Sequence, residues 1–144
     1  LGRELWAVLY IPSQQMPTQQ ARGVLGAQVS RADAVFNMGR SALLVNALAS
    51  GNLDLLKAAT QDRLHQNARA VLFPAMHLII RAALEAGASG AFLSGAGSTI
   101  LALTHDREMT IGYEMADMAN KAGVPGDVKV TRVSIQGAQV VIVK

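Results

Sequence analysis

The segment Leu93-Ser94-Gly95-Ala96-Gly97-Ser98-Thr99 offers the clearest chemistry in this sequence. Two glycines two positions apart let the backbone approach a ligand closely and can direct successive amide groups at one anion. The neighbouring hydroxyl groups add donors. No Lys follows the glycines as in a Walker A phosphate loop, and Ile100 stands where a dinucleotide-binding segment needs a third glycine. The residue types therefore fit either an anion site or an ordinary tight hairpin turn.

A second candidate is the pair Thr18 and Arg22, which lie four residues apart near the start of a predicted helix. This spacing places both side chains on one helix face. A helix N-terminus carries partial positive charge, and a guanidinium group adds a two-pronged donor for a planar anion. The pair suits a carboxylate ligand, although a solvated Arg explains the same pattern.

The third candidate is the polar stretch Asp62-Arg63-Leu64-His65-Gln66-Asn67-Ala68-Arg69, which we predict to be part of a loop. Binding residues often lie on loops. The three histidines of the chain lack metal-ligand spacing, so no metal site is predicted. Asp54 and Asp62 are too isolated to argue for a catalytic pair, and no Ser–His–acid arrangement is visible. We therefore assign no catalytic residue.

The elements that must position these segments follow from hydrophobic periodicity and from helix end signals. Ser30 is predicted to cap a long helix, which is apolar on more than one face and is expected to be well buried. Asp106 is predicted to cap the last helix. The predicted elements are strands at 4–11, 91–93, 99–103, 128–135 and 139–143, and helices at 17–25, 31–49, 53–60, 74–87 and 106–121, with a loop at 61–73.

This order predicts an α+β domain, a ferredoxin-like antiparallel sheet with helices packed on one face. The length of 144 residues suits one domain. Charged residues are 16%, below the typical ~25%, which indicates apolar surface covered by a missing domain or a second copy. Such a sheet would leave its second face free for a partner.

Charge and composition also limit the function classes. The net charge is +3, but the basic residues are scattered and aromatics are only 4%, so nucleic acid is not expected as a partner. No apolar run reaches the roughly 18 residues of a membrane span, so a membrane is not expected either. The absence of cysteine fits a cytoplasmic protein. The sequence lacks an initiator Met, and we expect it to be part of a longer translation product.

Taken together, the three candidate segments resemble the GHMP kinase family. The glycine-rich segment is similar to the third conserved motif of that superfamily, and the other two are similar to the homoserine kinases within it. The resemblance extends from Trp6 to the final strands. Three stretches carry it. The first is residues 93–99 together with the preceding segment 82–88. The others are residues 62–69 with the following segment 72–74, and residues 18–22 with the following residues 24–25.

The resemblance implies that residues 1–144 are the C-terminal domain of such a kinase, without its N-terminal nucleotide-binding domain. The full enzyme transfers the γ-phosphate of ATP, with Mg²⁺, to L-homoserine, giving O-phosphohomoserine for threonine biosynthesis. By resemblance, Thr18, Arg22 and Arg69 bind substrate, and the loop from Ser94 to Ser98 lies near substrate and phosphate. The chain alone is expected to be inactive and to bind neither ATP nor Mg²⁺ tightly.

The sequence departs from the family at Gly26, Asn67 and Ser98, where Pro is usual or frequent. The change at Ser98 bears on the geometry of the glycine loop. One alternative is another GHMP kinase, acting on a mevalonate-type or sugar alcohol, which would keep the loop without needing both arginines. A second alternative is a non-catalytic ligand-binding domain or a homodimerisation domain.

Overall fold

The computed structural model describes residues 5–134, 136 and 140, and shows a four-stranded sheet with helices. This is the α+β, ferredoxin-like architecture predicted from the element order. The strands are β1 (Trp6–Pro12), β2 (Gly90–Leu93), β3 (Ile100–Thr104) and β4 (Gly126–Arg132). The helices are α1 (Thr18–Gly23), α2 (Arg31–Ser50), α3 (Leu56–Ala59), α4 (Gln66–Arg69), α5 (Met76–Glu85) and α6 (Glu108–Lys121), with a 3₁₀ turn at Leu53–Leu55.

The sheet has the order β2-β3-β1-β4, and every neighbouring pair of strands is antiparallel. Strand β1 lies inside the sheet, where Tyr10 is opposite Ile100 of β3 and Val128 of β4. Strands β2 and β3 form a hairpin in which Leu93 is opposite Ile100. This pairing fixes the glycine-rich segment at one end of the sheet.

The main core lies between one face of the sheet and helices α5 and α6, as predicted for a sheet with helices on one face. Val8 and Tyr10 point to this side from β1, because alternate residues of a strand face the same way. Helices α5 and α6 supply the other layer through apolar residues at helical spacing. Their fully buried large side chains are Met76, Ile79, Ile111 and Met115.

A smaller cluster lies on the opposite face of the sheet, which is therefore partly covered and not wholly free for a partner. It joins Leu5 and Ala7 of the first strand region and Leu103 of β3 to Leu53, Leu56 and Ala47. The part of this face that β4 contributes, at Lys129 and Thr131, is exposed. The second face is thus shared between packed segments and solvent.

Helix α2 begins where the sequence predicts, because the Ser30 side chain accepts a hydrogen bond from the Asp33 amide at 3.0 Å. The prediction that this helix is well buried is wrong. Val35, Met38 and Val45 are 57%, 64% and 69% exposed. One side of α2 packs on α3 and the second cluster, and no described residue covers the other side, so apolar composition alone overstated its burial.

Other boundaries also differ from the sequence-based prediction. The stretch 61–73 contains the single helical turn α4, and the helix expected at 53–60 divides into a 3₁₀ turn and α3. Asp106 does not cap α6, since Arg107 occupies the N-cap position with φ 60° and provides no side-chain cap. The strand expected at 139–143 lies outside the described residues. Among the described helices, none has the length and apolar character to cross a membrane.

The fully buried Tyr10 ties the central strand to the end of α6, because its hydroxyl donates to the Val124 carbonyl at 2.6 Å. Burial, with a smaller contribution from Asp127, raises the pKa of Tyr10 and keeps the hydroxyl protonated. We expect Tyr10→Phe to lower the free energy of unfolding by about 1–2 kcal/mol in urea titrations. The matched control Tyr113→Phe, at a side chain 68% exposed, should change it by less than about 0.5 kcal/mol. Equal effects would contradict this assignment.

Candidate functional site

The glycine-rich segment is the turn of the β2–β3 hairpin. The Ser94 amide donates to the Thr99 carbonyl at 2.8 Å, and the Gly97 amide donates to the Ser94 carbonyl at 3.0 Å. Gly95 and Gly97 have φ values of 56° and 98°, and the Gly97–Ser98 peptide bond is cis. The segment therefore has the geometry of the hairpin alternative. Two of its amides already bond within the turn, so an anion could use only the others.

Arg69 connects this turn to α1. Its side chain is 9% exposed, its Nε donates to the Ala21 carbonyl at 3.3 Å, and its Nη1 donates to the Gly95 carbonyl at 2.8 Å. A guanidinium group has five N–H donors, so these two bonds leave others for a ligand. The fork is held in one orientation before any ligand arrives, which reduces the entropy lost on binding.

Thr18 and Arg22 both lie on α1 and are exposed. Because the Ala21 carbonyl accepts from Arg69, the backbone of Arg22 begins directly beside the Arg69 guanidinium. The structure thus brings together α1, α4 and the glycine turn, the three segments selected from the sequence. The substrate-binding role of Thr18, Arg22 and Arg69 stays a prediction.

Two cavities border the glycine turn. The Ser98 cavity, of about 180 Å³, lies against Gln20 of α1 and the segment Gln14–Met16, where Ser98 Oγ donates to the Gln14 carbonyl at 2.7 Å. The Arg69 cavity, of about 220 Å³, is lined by Arg69, Gly95 and residues of α2. The turn therefore borders the first cavity through Ser98 and the second through Gly95.

Asp62 is a residue of this site to which the sequence analysis gave no role of its own. Its carboxylate accepts from the amides of His65 and Gln66 at 2.7 and 2.6 Å, and from Asn37 Nδ2 at 2.6 Å. Burial alone would raise the pKa of Asp62. The backbone hydrogen bonds from Gln66 and His65, with the side chain of Asn37, outweigh burial and lower the pKa to about 2. Asp62 thus stays ionised and, from three residues before the N-cap residue His65, caps the first free amides of the turn that carries Arg69.

Gln66 continues this network to the glycine turn, because its Oε1 accepts from the Leu93 amide at 2.8 Å. Asn37 of α2, Asp62, Gln66 and Leu93 therefore form a chain of hydrogen bonds beside Arg69. An Asp shortly before a short helix is a capping signal that sequence reasoning could have used. No local signal marks Asn37 or Gln66, since their partners lie 25 and 27 residues away.

The sequence matches the family described as "GHMP kinases C terminal" over residues 44–120. This chain belongs to that family. The sheet and helices described above are the fold of the family's C-terminal domain.

The relatives that it resembles include homoserine kinases. The homoserine kinase of Desulfitobacterium hafniense is 42% identical over 139 residues, covering 96% of this chain and 47% of that protein. The homoserine kinase of Caldicellulosiruptor saccharolyticus is 53% identical over 95 residues, covering 66% of this chain and 31% of that protein. This chain thus spans less than half the length of these relatives.

Solved structures of kinases share this fold. The crystal structure of homoserine kinase from Cytophaga hutchinsonii superposes with a TM-score of 0.84 and 32% identity, covering 88% of this chain and 41% of that chain. Mevalonate kinase from L. major, in complex with R-mevalonate, superposes with a TM-score of 0.53 at 16% identity, covering 90% of this chain and 42% of that chain. The second likeness shows the shared fold alone.

Asp62→Ala should destabilise the chain, because it removes the cap of α4 and leaves Asn37 without its acceptor. We expect a loss of about 1–2 kcal/mol at pH 7 in urea titrations. The folded-state pKa of about 2 lies below the ordinary value of 3.8, so the stabilisation is complete above about pH 4 and is lost as the pH falls towards 2. The difference between wild type and variant should therefore shrink over that range.

The control for this prediction is Asp54→Ala, since Asp54 is exposed and takes no part in the hydrogen bonds that join Asn37, Asp62, Gln66 and Leu93. It should change stability by less than about 0.5 kcal/mol. A difference between wild type and Asp62→Ala that stays constant from pH 7 to pH 2 would contradict the capping role of an ionised Asp62.

The two glycines of the turn should respond differently to substitution. At Gly97 a Cβ would lie 3.0 Å from Leu93 Cδ1 and closer still to Met16 Cε, and φ is 98°. Gly95, with φ 56°, has open space around it. In urea titrations we expect Gly97→Ala to lower the free energy of unfolding by about 2–3 kcal/mol and Gly95→Ala to lower it by only about 1 kcal/mol. A larger loss of stability for Gly95→Ala than for Gly97→Ala would contradict the close packing of Gly97 against Leu93 and Met16.

Proposed function

We propose that residues 1–144 are the C-terminal, substrate-binding domain of a homoserine kinase. In this proposal the whole enzyme transfers the γ-phosphate of ATP to the side-chain hydroxyl of L-homoserine and forms O-phosphohomoserine. It acts in the cytoplasm, in threonine biosynthesis. The relatives named homoserine kinase support the class. The observation that carries the proposal is the buried Arg69, which is bonded to both α1 and the glycine turn.

Arg69, Arg22 and Thr18 would bind the amino-acid end of the substrate. Two guanidinium groups can hold one carboxylate through charge-assisted hydrogen bonds, which are shorter and stronger than neutral ones. Arg69 is fixed by backbone carbonyls, whereas Arg22 is exposed and can close on the ligand. A carboxylate held in this way would direct the distal hydroxyl along the glycine turn.

Positioning is the contribution that such a domain can make to phosphoryl transfer. The reaction depends on alignment and charge stabilisation more than on covalent chemistry by the protein. ATP supplies the phosphoryl group and Mg²⁺ neutralises its charge when both are bound. Among the described residues, no group of three or more His, Cys, Asp and Glu could hold a metal ion.

The proposal can be tested by joining this chain to the N-terminal half of the Desulfitobacterium hafniense homoserine kinase. The fusion should phosphorylate L-homoserine in an ATP-coupled assay, and either half alone should not. Arg22→Ala, at an exposed side chain, should raise KM for L-homoserine by about 10- to 100-fold, because it removes a charge-assisted hydrogen bond. Arg69→Lys, which keeps the charge but loses the fork, should act in the same direction.

Arg31→Ala is the control in the same fusion. Arg31 is exposed at the start of α2 and has no part in the proposed substrate site. It should leave KM within about twofold. An active fusion with normal KM in both Arg22→Ala and Arg69→Lys would end the substrate assignment. Activity on mevalonate in place of L-homoserine would identify another GHMP kinase. Turnover by this chain alone would overturn the proposed dependence on a second half.

A further inference from the structure

Arg40 of α2 lines the Arg69 cavity together with Arg69 and Gly95. Its Nε is buried and has no hydrogen-bond partner within the described part of the chain. Its guanidinium carbon lies 4.3 Å from the centroid of the Phe36 ring. Two guanidinium groups thus border one cavity, from α2 and from α4, and one of them carries a buried donor without an acceptor.

A buried donor without an acceptor is unusual in a folded protein and calls for an explanation. Stacking on Phe36 holds the face of the Arg40 guanidinium and does not use its N–H donors. Asp62, the carboxylate lining the same cavity, bonds instead to Asn37, His65 and Gln66. Within the described residues Arg40 forms no ion pair. Because Nε itself is out of reach of solvent, an anionic ligand in the cavity would bond to the Nη donors of the same guanidinium and offset the cost of the unpaired Nε.

The cavity also limits the size and chemistry of that ligand. At about 220 Å³ it is smaller than the roughly 300–1,000 Å³ of pockets for drug-sized molecules, so it suits a small metabolite. Leu44 and Phe92 give it apolar walls, and Ser41 and Gln61 add neutral hydrogen-bonding groups. A short aliphatic molecule with one carboxylate matches this lining.

We propose that Arg40 is a ligand-binding residue which, with Arg69, holds the carboxylate of a small amino acid in the Arg69 cavity. The identity of that amino acid as L-homoserine rests on the proposed function, and the role of Arg40 rests on the cavity. Arg40 then supplies a second fixed guanidinium from α2, the helix that also carries Asn37. Arg22 of α1 does not line this cavity, so its proposed contact with the ligand requires its exposed side chain to move.

Arg63 offers a matched control for Arg40. Its guanidinium carbon lies 3.9 Å from the centroid of the same Phe36 ring, but Arg63 does not line the cavity. Arg63 is exposed, and its Nη1 atom lies 3.9 Å from Oδ1 of Asp33. Arg40→Met and Arg63→Met each remove one charge and one cation–π contact. If Arg40 serves only to pack on Phe36, the two variants should behave alike.

The test is a titration of the 144-residue chain with L-homoserine, followed through the arginine Nε–Hε signals in ¹⁵N-correlated NMR spectra. The Arg40 signal, assigned by its absence in Arg40→Met, should shift on binding. Arg40→Met should weaken binding by about 10- to 100-fold, and Arg63→Met should leave it within about twofold. L-homoserinamide, which lacks the carboxylate, should bind at least about tenfold more weakly than L-homoserine.

Acetate, as a bare carboxylate probe, separates this proposal from the proposed function. If L-homoserine binds no better than acetate, but acetate shifts Arg40 Nε–Hε and loses affinity in Arg40→Met, the Arg40 site stands and the substrate assignment fails. If L-homoserine binds equally to wild type, Arg40→Met and Arg63→Met, the Arg40 site is overturned and the substrate assignment stands. Failure of both probes to bind wild type also overturns the site.

Discussion

The candidate site depends on the hydrogen bonds that the buried guanidinium group of Arg69 donates to two backbone carbonyls. A buried charge is costly unless polar groups surround it, and here the carbonyls of Ala21 and Gly95 provide that environment. These carbonyls belong to segments 48 and 26 residues from Arg69. One side chain therefore fixes α1 and the glycine turn relative to each other, and its own orientation is fixed by them.

This arrangement needs α4 to stay helical, although a single turn is not stable by itself. Asp62 supplies the missing stability through its bonds to the first amides of the turn and to Asn37. Gln66 then bonds to Leu93, at the entrance to the glycine turn. The turn that carries Arg69 and the glycine turn are thus linked by a hydrogen-bonded network that begins on α2.

The sheet provides the rigid frame for these contacts. Its central strand β1 is covered on one face by α5 and α6 and on part of the other by α3 and α2. The β2–β3 hairpin places the glycine turn at the end of this frame. The outer side of α2 remains apolar and exposed in the described chain, as the low content of charged residues indicated.

The sequence by itself determined the features that depend on neighbours along the chain: the order of strands and helices, the cap at Ser30 and the turn at Gly95 and Gly97. Resemblance added the prediction that Arg69 binds substrate. Only the tertiary structure decided which side of α2 is exposed, that 66–69 is helical, and that Arg40 shares a cavity with Arg69. The physical reason is range, because capping and turn signals act within about four residues. Burial, the bonds of Gln66 and Arg69, and the bond between Asp62 and Asn37 depend instead on segments that meet only in the folded chain.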